Sequence, residues 1–356
     1  MNQPPHSPTP FQLPTLRLGL RRLALLVGLG VLTVVFLITL GGGQAALSAL
    51  LTVDLRWIAI GVVIHYSGFV VRGVRWQQLL RALGHRLSWR YAMTLLLSGW
   101  FVSALLPARA GDLLRIAILG IPNPKHAAVP VADSIGSIVL ERALDLVALV
   151  VLGAGFGFAL LRTTMPGWVV AAYGVTILLL AVAAVALLLA PALLHWLRRR
   201  SEQPLWQRAI ALAGQLVQSL QTVGRSPLIA LQVVGQSLYI WLCDALLMWT
   251  VLKAMGVDAP LASITFVALT VDIFAAIPLT PGGIGQIEAV NMALLALLPL
   301  PAFNLSAAVL LNRAISYWSF LLFSGIVTFA AGIGQMMVGG KADGVKDVGG
   351  EQHYNG

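Results

Sequence analysis

Residues 168–190, WVVAAYGVTILLLAVAAVALLLA, run for 23 positions without a charged side chain. A helix of about 20 apolar residues crosses the hydrocarbon core of a bilayer. In that core every backbone amide and carbonyl must be bonded within the protein, which for a single segment leaves the helix. The chain therefore reads as an all-α polytopic membrane protein, with further candidates for full spans at 23–40, 57–74, 135–161, 227–252 and 305–332. With 58% apolar residues, 10% charged residues and a mean hydropathy of +0.88, no large soluble domain fits beside them. The run at 23–40 exceeds the apolar core of about 7–15 residues found in signal peptides. It is expected to remain as the first span, with cleavage near the small residues at 45–49 as the alternative.

The formal net charge is +10, from 23 Lys and Arg against 13 Asp and Glu. In a soluble chain that excess would point to nucleic acid; here it reads as basic loops facing anionic lipid on the cytoplasmic side, with no nucleic-acid partner. Cys243 is alone, so no internal disulfide forms, and the six histidines have no ligand spacing, so no metal or other cofactor is expected.

Basic residues also set the orientation. Arg17, Arg21 and Arg22 place a tail of residues 1–22 inside, the segment RGVRWQQLLRALGHRLSWR is inside, and HWLRRRSEQPLWQR with Arg198, Arg199 and Arg200 is inside. Counting back through two spans puts Lys125 inside as well, so residues 91–125 must enter and leave on one face. Pro107 and Gly111 break that segment. Two half-helices in a re-entrant hairpin satisfy both the lengths and the charges.

The same pattern recurs downstream. LPARAGDLLR aligns with IPLTPGGIGQIE, pairing Pro107 with Pro278 and Gly111 with Gly282, both 171 positions apart; Arg142 of LERA falls on Arg313 of LNRA at the same offset. LLRALG, ending at Gly84, matches VLKAMG, ending at Gly256, at 172. The expected fold has about six full transmembrane helices plus two re-entrant hairpins in inverted-topology repeats, about 56–162 and about 227–334, within a membrane domain at 23–335. An amphipathic cytoplasmic loop is expected at about 195–226 and a flexible cytoplasmic tail at 336–356, giving an integral cell-membrane protein with both termini cytoplasmic.

A charge at the bilayer centre costs about 2.5–3.5 kcal/mol, so each needs a partner or a purpose. Arg142 and Arg313 are expected near the midplane, and Arg109 and Arg115 flank the first break. Half-helix N-termini near Gly111 and near Gly282 and Gly283 would add partial positive charge. Together these groups make an anion centre suited to phosphate oxygens, with Asp112, Glu141, Asp145 and Glu288 as counter-charges. The bland alternative is a set of structural pairs locking helices together. Asp244 and Asp272 read as helix-to-helix hydrogen bonding, with proton carriage as the other reading.

With LPARAGDLLR, ERALD and PLTPGGIGQIE in this order, residues 20–335 resemble the flippase-like membrane domain of lysylphosphatidylglycerol synthases, a family with many stand-alone members. The resemblance places one family element on Pro107, Arg109, Gly111, Asp112 and Arg115, with Asp112 where Glu is frequent. It places a second on Glu141, Arg142 and Asp145, and a third on Pro278, Thr280, Pro281, Gly282, Gly283, Gly285 and Glu288. It implies translocation of a lipid with an anionic or zwitterionic headgroup. The synthases' soluble aminoacyl-transfer domain finds no room in these short loops, so transport is expected over catalysis. The alternatives are a membrane-embedded glycosyl or headgroup transferase, with Glu141 or Asp145 as base, and a non-catalytic partner of lipid biosynthesis enzymes. The sequence leaves the oligomeric state open.

Overall fold

The computed structural model describes residue 48 and residues 51–106, 109–122, 127–158, 166–200, 203–224, 226–276, 279–300 and 302–333. The expected span at 23–40, both tails, and Lys125, Pro107 and Pro278 lie outside them. Every regular element among the described residues is helical.

Helix α1 (Leu55–Ala82) starts at Asp54, whose carboxylate accepts from the Arg56 amide at 2.9 Å. A hairpin of α2 (Trp89–Leu105) and α3 (Ala110–Leu119) follows, and then α4 (Val131–Phe158). After α5 (Gly167–Arg200) and α6 (Pro204–Gly224), the same order returns: α7 (Pro227–Ala254), a hairpin of α8 (Leu261–Ala275) and α9 (Gln286–Leu295), and a final long helix. That last helix is α10 (Ala302–Arg313), a π-helical turn at Ala314–Ser319, and α11 (Phe320–Ala330).

LLRALG and VLKAMG end their helices by one device. Gly84 and Gly256 take φ of +93° and +71°. At each, the glycine amide donates to the carbonyl three residues back, Arg81 and Lys253, at 3.0 Å, and the next amide donates to Leu80 and Leu252 at 2.9 Å. This is the Schellman closure, and it needs a residue that tolerates positive φ. Helices α1 and α7 then pack antiparallel along their length, since Gly61 meets Thr250 while Gly68 meets Cys243. A Cβ at Gly61 would lie 2.4 Å from the Thr250 hydroxyl, so the absence of a side chain sets the approach of the two backbones.

Among the described residues, four helical stretches are long and apolar enough to cross a membrane: α1, α5, α7 and Leu305–Ala330. Helix α4 reaches 28 residues but carries Asp133, Glu141, Arg142 and Asp145. Helix α5 buries only Val169 and Thr176 over its 34 residues, which fits a helix that faces hydrocarbon rather than protein. The hairpin helices have 17, 10, 15 and 10 residues. At 1.5 Å per residue the longest spans about 25 Å, short of the hydrocarbon thickness of about 30 Å. Helix α6 rests on α4: the Ser219 hydroxyl donates to the Asp133 carboxylate at 2.5 Å, and His85 reaches the same carboxylate at 2.7 Å.

Candidate functional site

The first hairpin turns at Arg109, which adopts φ 53° and is the non-glycine residue with positive φ among those described. Such a conformation persists where the surroundings hold it. Here the Arg109 guanidinium donates to the Ala276 carbonyl, at the end of α8, at 2.6 Å, so it staples one hairpin to the other. Across α2 and α3 the backbones touch at Gly99 and Gly111: a Cβ on Gly111 would stand 1.5 Å from the Gly99 carbonyl oxygen. That contact delivers Arg115 to the interior, where it is fully buried, 4.0 Å from the ring centre of Trp76.

Three arginines and three carboxylates then close a ring of alternating charge. Arg115 meets Glu141 at 2.7 Å and Asp112 at 3.3 Å. Arg142 meets Asp112 at 3.4 Å and Asp145 at 3.8 Å. Arg75 meets Asp145 at 2.7 Å and Glu141 at 3.9 Å. Its members come from α1, α3 and α4, and its net charge is zero. Buried charges are tolerated in that form, because each loses water but gains a partner in a medium of low dielectric. The ring is not uniform: the Arg75 and Arg115 side chains are wholly buried, whereas that of Arg142 is 31% exposed.

Arg142 faces a cavity of about 350 Å3 that is also lined by Gly282, Arg313 and Tyr317 from the second half of the chain. Arg313 donates through Nε to Glu288 at 2.7 Å and through Nη2 to the Gly282 carbonyl at 3.1 Å, and its guanidinium lies 4.3 Å from the ring centre of Tyr317. Gly282, Gly283 and Gly285 all have positive φ. The expected free N-terminus of α9 is taken by the chain itself, since Glu288 accepts the Gly285 amide at 2.8 Å. Asp112 likewise occupies the first turn of α3. The cations of this cavity are therefore its arginines rather than bare helix ends. Thr280 turns away to bond the Ile284 carbonyl at 2.8 Å.

Of the residues singled out in the sequence, Arg142, Asp244, Asp272, Gly282 and Arg313 reach the cavity wall. Asp112, Arg115, Glu141, Asp145 and Glu288 stand behind it as the network that holds those arginines, and Arg109, Thr280 and Gly283 shape the two hairpin turns. Arg72 was missed, having been counted with Arg75 as loop charge. It lines the cavity from α1, paired with Asp244 at 2.6 Å and set 4.7 Å from the ring centre of Trp241. The signal was present: Asp244 lies 172 positions on from Arg72, the offset of the LLRALG and VLKAMG blocks. Arg75 and Arg72 at i, i+3 also continue one face of α1 into the apolar run. Among the described residues no three His, Cys, Asp or Glu side chains are placed to hold a metal ion; the arginines of the cavity wall suit an anion.

The family profile described as the lysylphosphatidylglycerol synthase TM region matches residues 23–324. A protein of Haloferax volcanii named glycosyltransferase AglD is 29% identical over 82% of this chain, which spans only half of that relative's length. Two proteins of Methanothermobacter thermautotrophicus, each named UPF0104 membrane protein, are 21% and 24% identical, covering 83% and 82% of this chain and 91% and 88% of their own lengths. No solved structure matches the chain.

Proposed function

Because the chain belongs to the lysylphosphatidylglycerol synthase TM region family, we propose that this membrane protein moves a phosphate-bearing polar lipid between leaflets. The observation that carries the reading is the shared cavity: Arg72 from α1, Arg142 from α4 and Arg313 from α10 converge on it from both halves of the chain. Guanidinium groups fork onto phosphate oxygens, and three of them around one space exceed what locking helices together needs. A headgroup would lodge there while its hydrocarbon tails stay in lipid, and rocking the two halves would expose the cavity to each side in turn. On this reading the short helix pairs α2–α3 and α8–α9 are re-entrant, the two halves are inverted repeats, and both termini are cytoplasmic in the cell membrane.

The second reading is a membrane-embedded glycosyl or headgroup transferase, and the name of the Haloferax relative favours it. The geometry supports it less. A general base needs a free carboxylate within reach of its proton, and the two expected to serve, Glu141 and Asp145, are each bound to an arginine at 2.7 Å, so the reading would have to use another carboxylate of the cavity wall, Asp272.

Reconstitution into liposomes with asymmetrically placed fluorescent lipids tests the choice. The wild-type protein should accelerate loss of asymmetry, and Arg142→Ala should abolish it while the protein stays folded. No accelerated movement of any phosphate-bearing lipid, together with a chemically altered headgroup, would establish the transferase reading instead.

A further inference from the structure

Five carboxylates at or behind the cavity each have an arginine close by. Asp244 has Arg72 at 2.6 Å, Asp145 has Arg75, and Glu141 has Arg115, both at 2.7 Å. Glu288 has Arg313 at 2.7 Å, and Asp112 has Arg115 at 3.3 Å. Asp272 is different. It lies on α8 in the wall of the same cavity, and among the described residues no hydrogen bond or ion pair reaches its carboxylate. The helix-to-helix bonding expected from its sequence position is realised at Asp244 and not here.

A second group stands unused beside it in the same wall. His65 on α1 is 4% exposed, and its Nε2 has no hydrogen-bond partner. Its Nδ1 stands 2.8 Å from the Asp244 carboxylate but off the direction of a hydrogen bond. Asp and His side chains inside a membrane mark proton routes.

We propose that Asp272 exchanges a proton with the aqueous phase to which the cavity opens, and that lipid headgroup binding takes that proton up. The charge balance gives the reason. The ring is neutral as a set, and Arg72 and Arg313 are each matched by a carboxylate; the Arg109 guanidinium is bonded to the Ala276 carbonyl and no ion pair joins it to Asp272, so an ionised Asp272 is an unpaired negative charge in the wall that would receive a phosphate. Forming an O–H bond on Asp272, with the proton drawn from water, removes that repulsion. The charges that act on Asp272 are Asp244 of α7, Arg72 of α1 and Asp145 of α4; Arg142 of α4 lines the same cavity, and α9, also packed on α8, carries Glu288, which is held by Arg313. From α5, Tyr173 bonds Thr270 at 3.1 Å, two residues before Asp272. A resident metal cation fits less well, since one carboxylate is not a cation shell and no trio of acidic or imidazole ligands forms among the described residues.

The transport arm of this inference rests on the translocation reading; its spectroscopic arm does not. In the first arm, infrared difference spectra of the full chain in nanodiscs are recorded while pH is stepped. A carboxyl C=O band should appear with acid, vanish in Asp272→Asn and return in Asp272→Glu. In the second, liposomes carry a fluorescent phosphatidylglycerol probe and a gradient of one pH unit. Movement out of the acidic side should change by up to about tenfold relative to no gradient, the limit for one linked proton. In Asp272→Asn that ratio should fall to one. A band unchanged in Asp272→Asn overturns the proposal, and so does a gradient ratio that survives the substitution. If wild type moves no lipid, the translocation reading fails and the infrared arm decides Asp272 alone.

Discussion

Replacing Gly111 with alanine tests whether the first hairpin delivers the charge ring to its place. The new methyl would lie 1.5 Å from the Gly99 carbonyl oxygen, 2.4 Å from its carbon and 2.7 Å from the Ser103 hydroxyl. Non-bonded carbon contacts settle at about 3.5 Å or more, so α3 must retreat by about 2 Å. Arg115 rides on the same helix one turn later, and its 2.7 Å bond to the buried Glu141 would open past ion-pair distance. Overpacking costs about 1–3 kcal/mol, and separating a buried pair adds up to about 3–5 kcal/mol. At about 2.1 cal/mol/K per residue, the 356-residue chain shifts by about 1–1.5 °C per kcal/mol, so the melting temperature should fall by about 5–10 °C. Intrinsic tryptophan fluorescence on heating in detergent measures this. Gly235→Ala, at an exposed position of α7 with nothing within 4 Å, is the matched control and should melt within a degree or two of wild type. A Gly111→Ala protein that melts with the control would refute the argument from backbone contact to ring integrity.

Other substitutions probe separate parts of the site. Gly282→Ala places a methyl 2.1 Å from the Tyr317 hydroxyl at a residue with φ +62°, so lipid movement should drop at least tenfold in the liposome assay. Arg115→Met, which leaves fully buried Glu141 short of its closest cation, should lower the yield of folded protein, judged by size-exclusion chromatography. Arg142→Met should leave that profile intact, because its side chain is partly exposed and its contacts are longer. Lys253, in the last turn of α7, bonds the exposed Asp258 carboxylate beyond the end of that helix and holds it below the usual carboxylate range. A carboxyl group depressed on folding stabilises above its unfolded value of about 3.9 and loses that contribution as pH falls further. Melting curves below about pH 4 should therefore show an acid-side loss that Lys253→Met removes.

How far the sequence reaches depends on the kind of signal. Apolar runs at α5 and α7 declare themselves, because hydrocarbon leaves one backbone solution. The paired helix ends at Gly84 and Gly256 show as a spaced repeat, because Schellman closure asks for one residue type at one place. Arg142, Gly282 and Arg313 are visible as charges or breaks inside apolar segments. The exact partner of each charge is not, because pairing depends on the rotation of helices about their own axes. Asp145 sits three residues from Arg142, yet its short bond goes to Arg75, 70 positions earlier. Arg72 and Arg75 look like loop charge until the depth of α1 is known. The occupied N-terminus of α9 was hidden for a similar reason: Glu288 could face a ligand or its own backbone, and only the turn at Gly285 decides.

The uneven ring around Arg142 has a mechanical meaning. Two of its arginines are clamped at 2.7 Å, while the third sits 3.4 and 3.8 Å from its carboxylates. On the proposed translocation reading, an Arg142 that leaned toward an arriving anion would leave three carboxylates facing two guanidinium groups. That imbalance would pull it back. The network would then act as a weak return spring: it would yield to an anionic guest, store the displacement as charge imbalance, and recover its neutral form when the guest left.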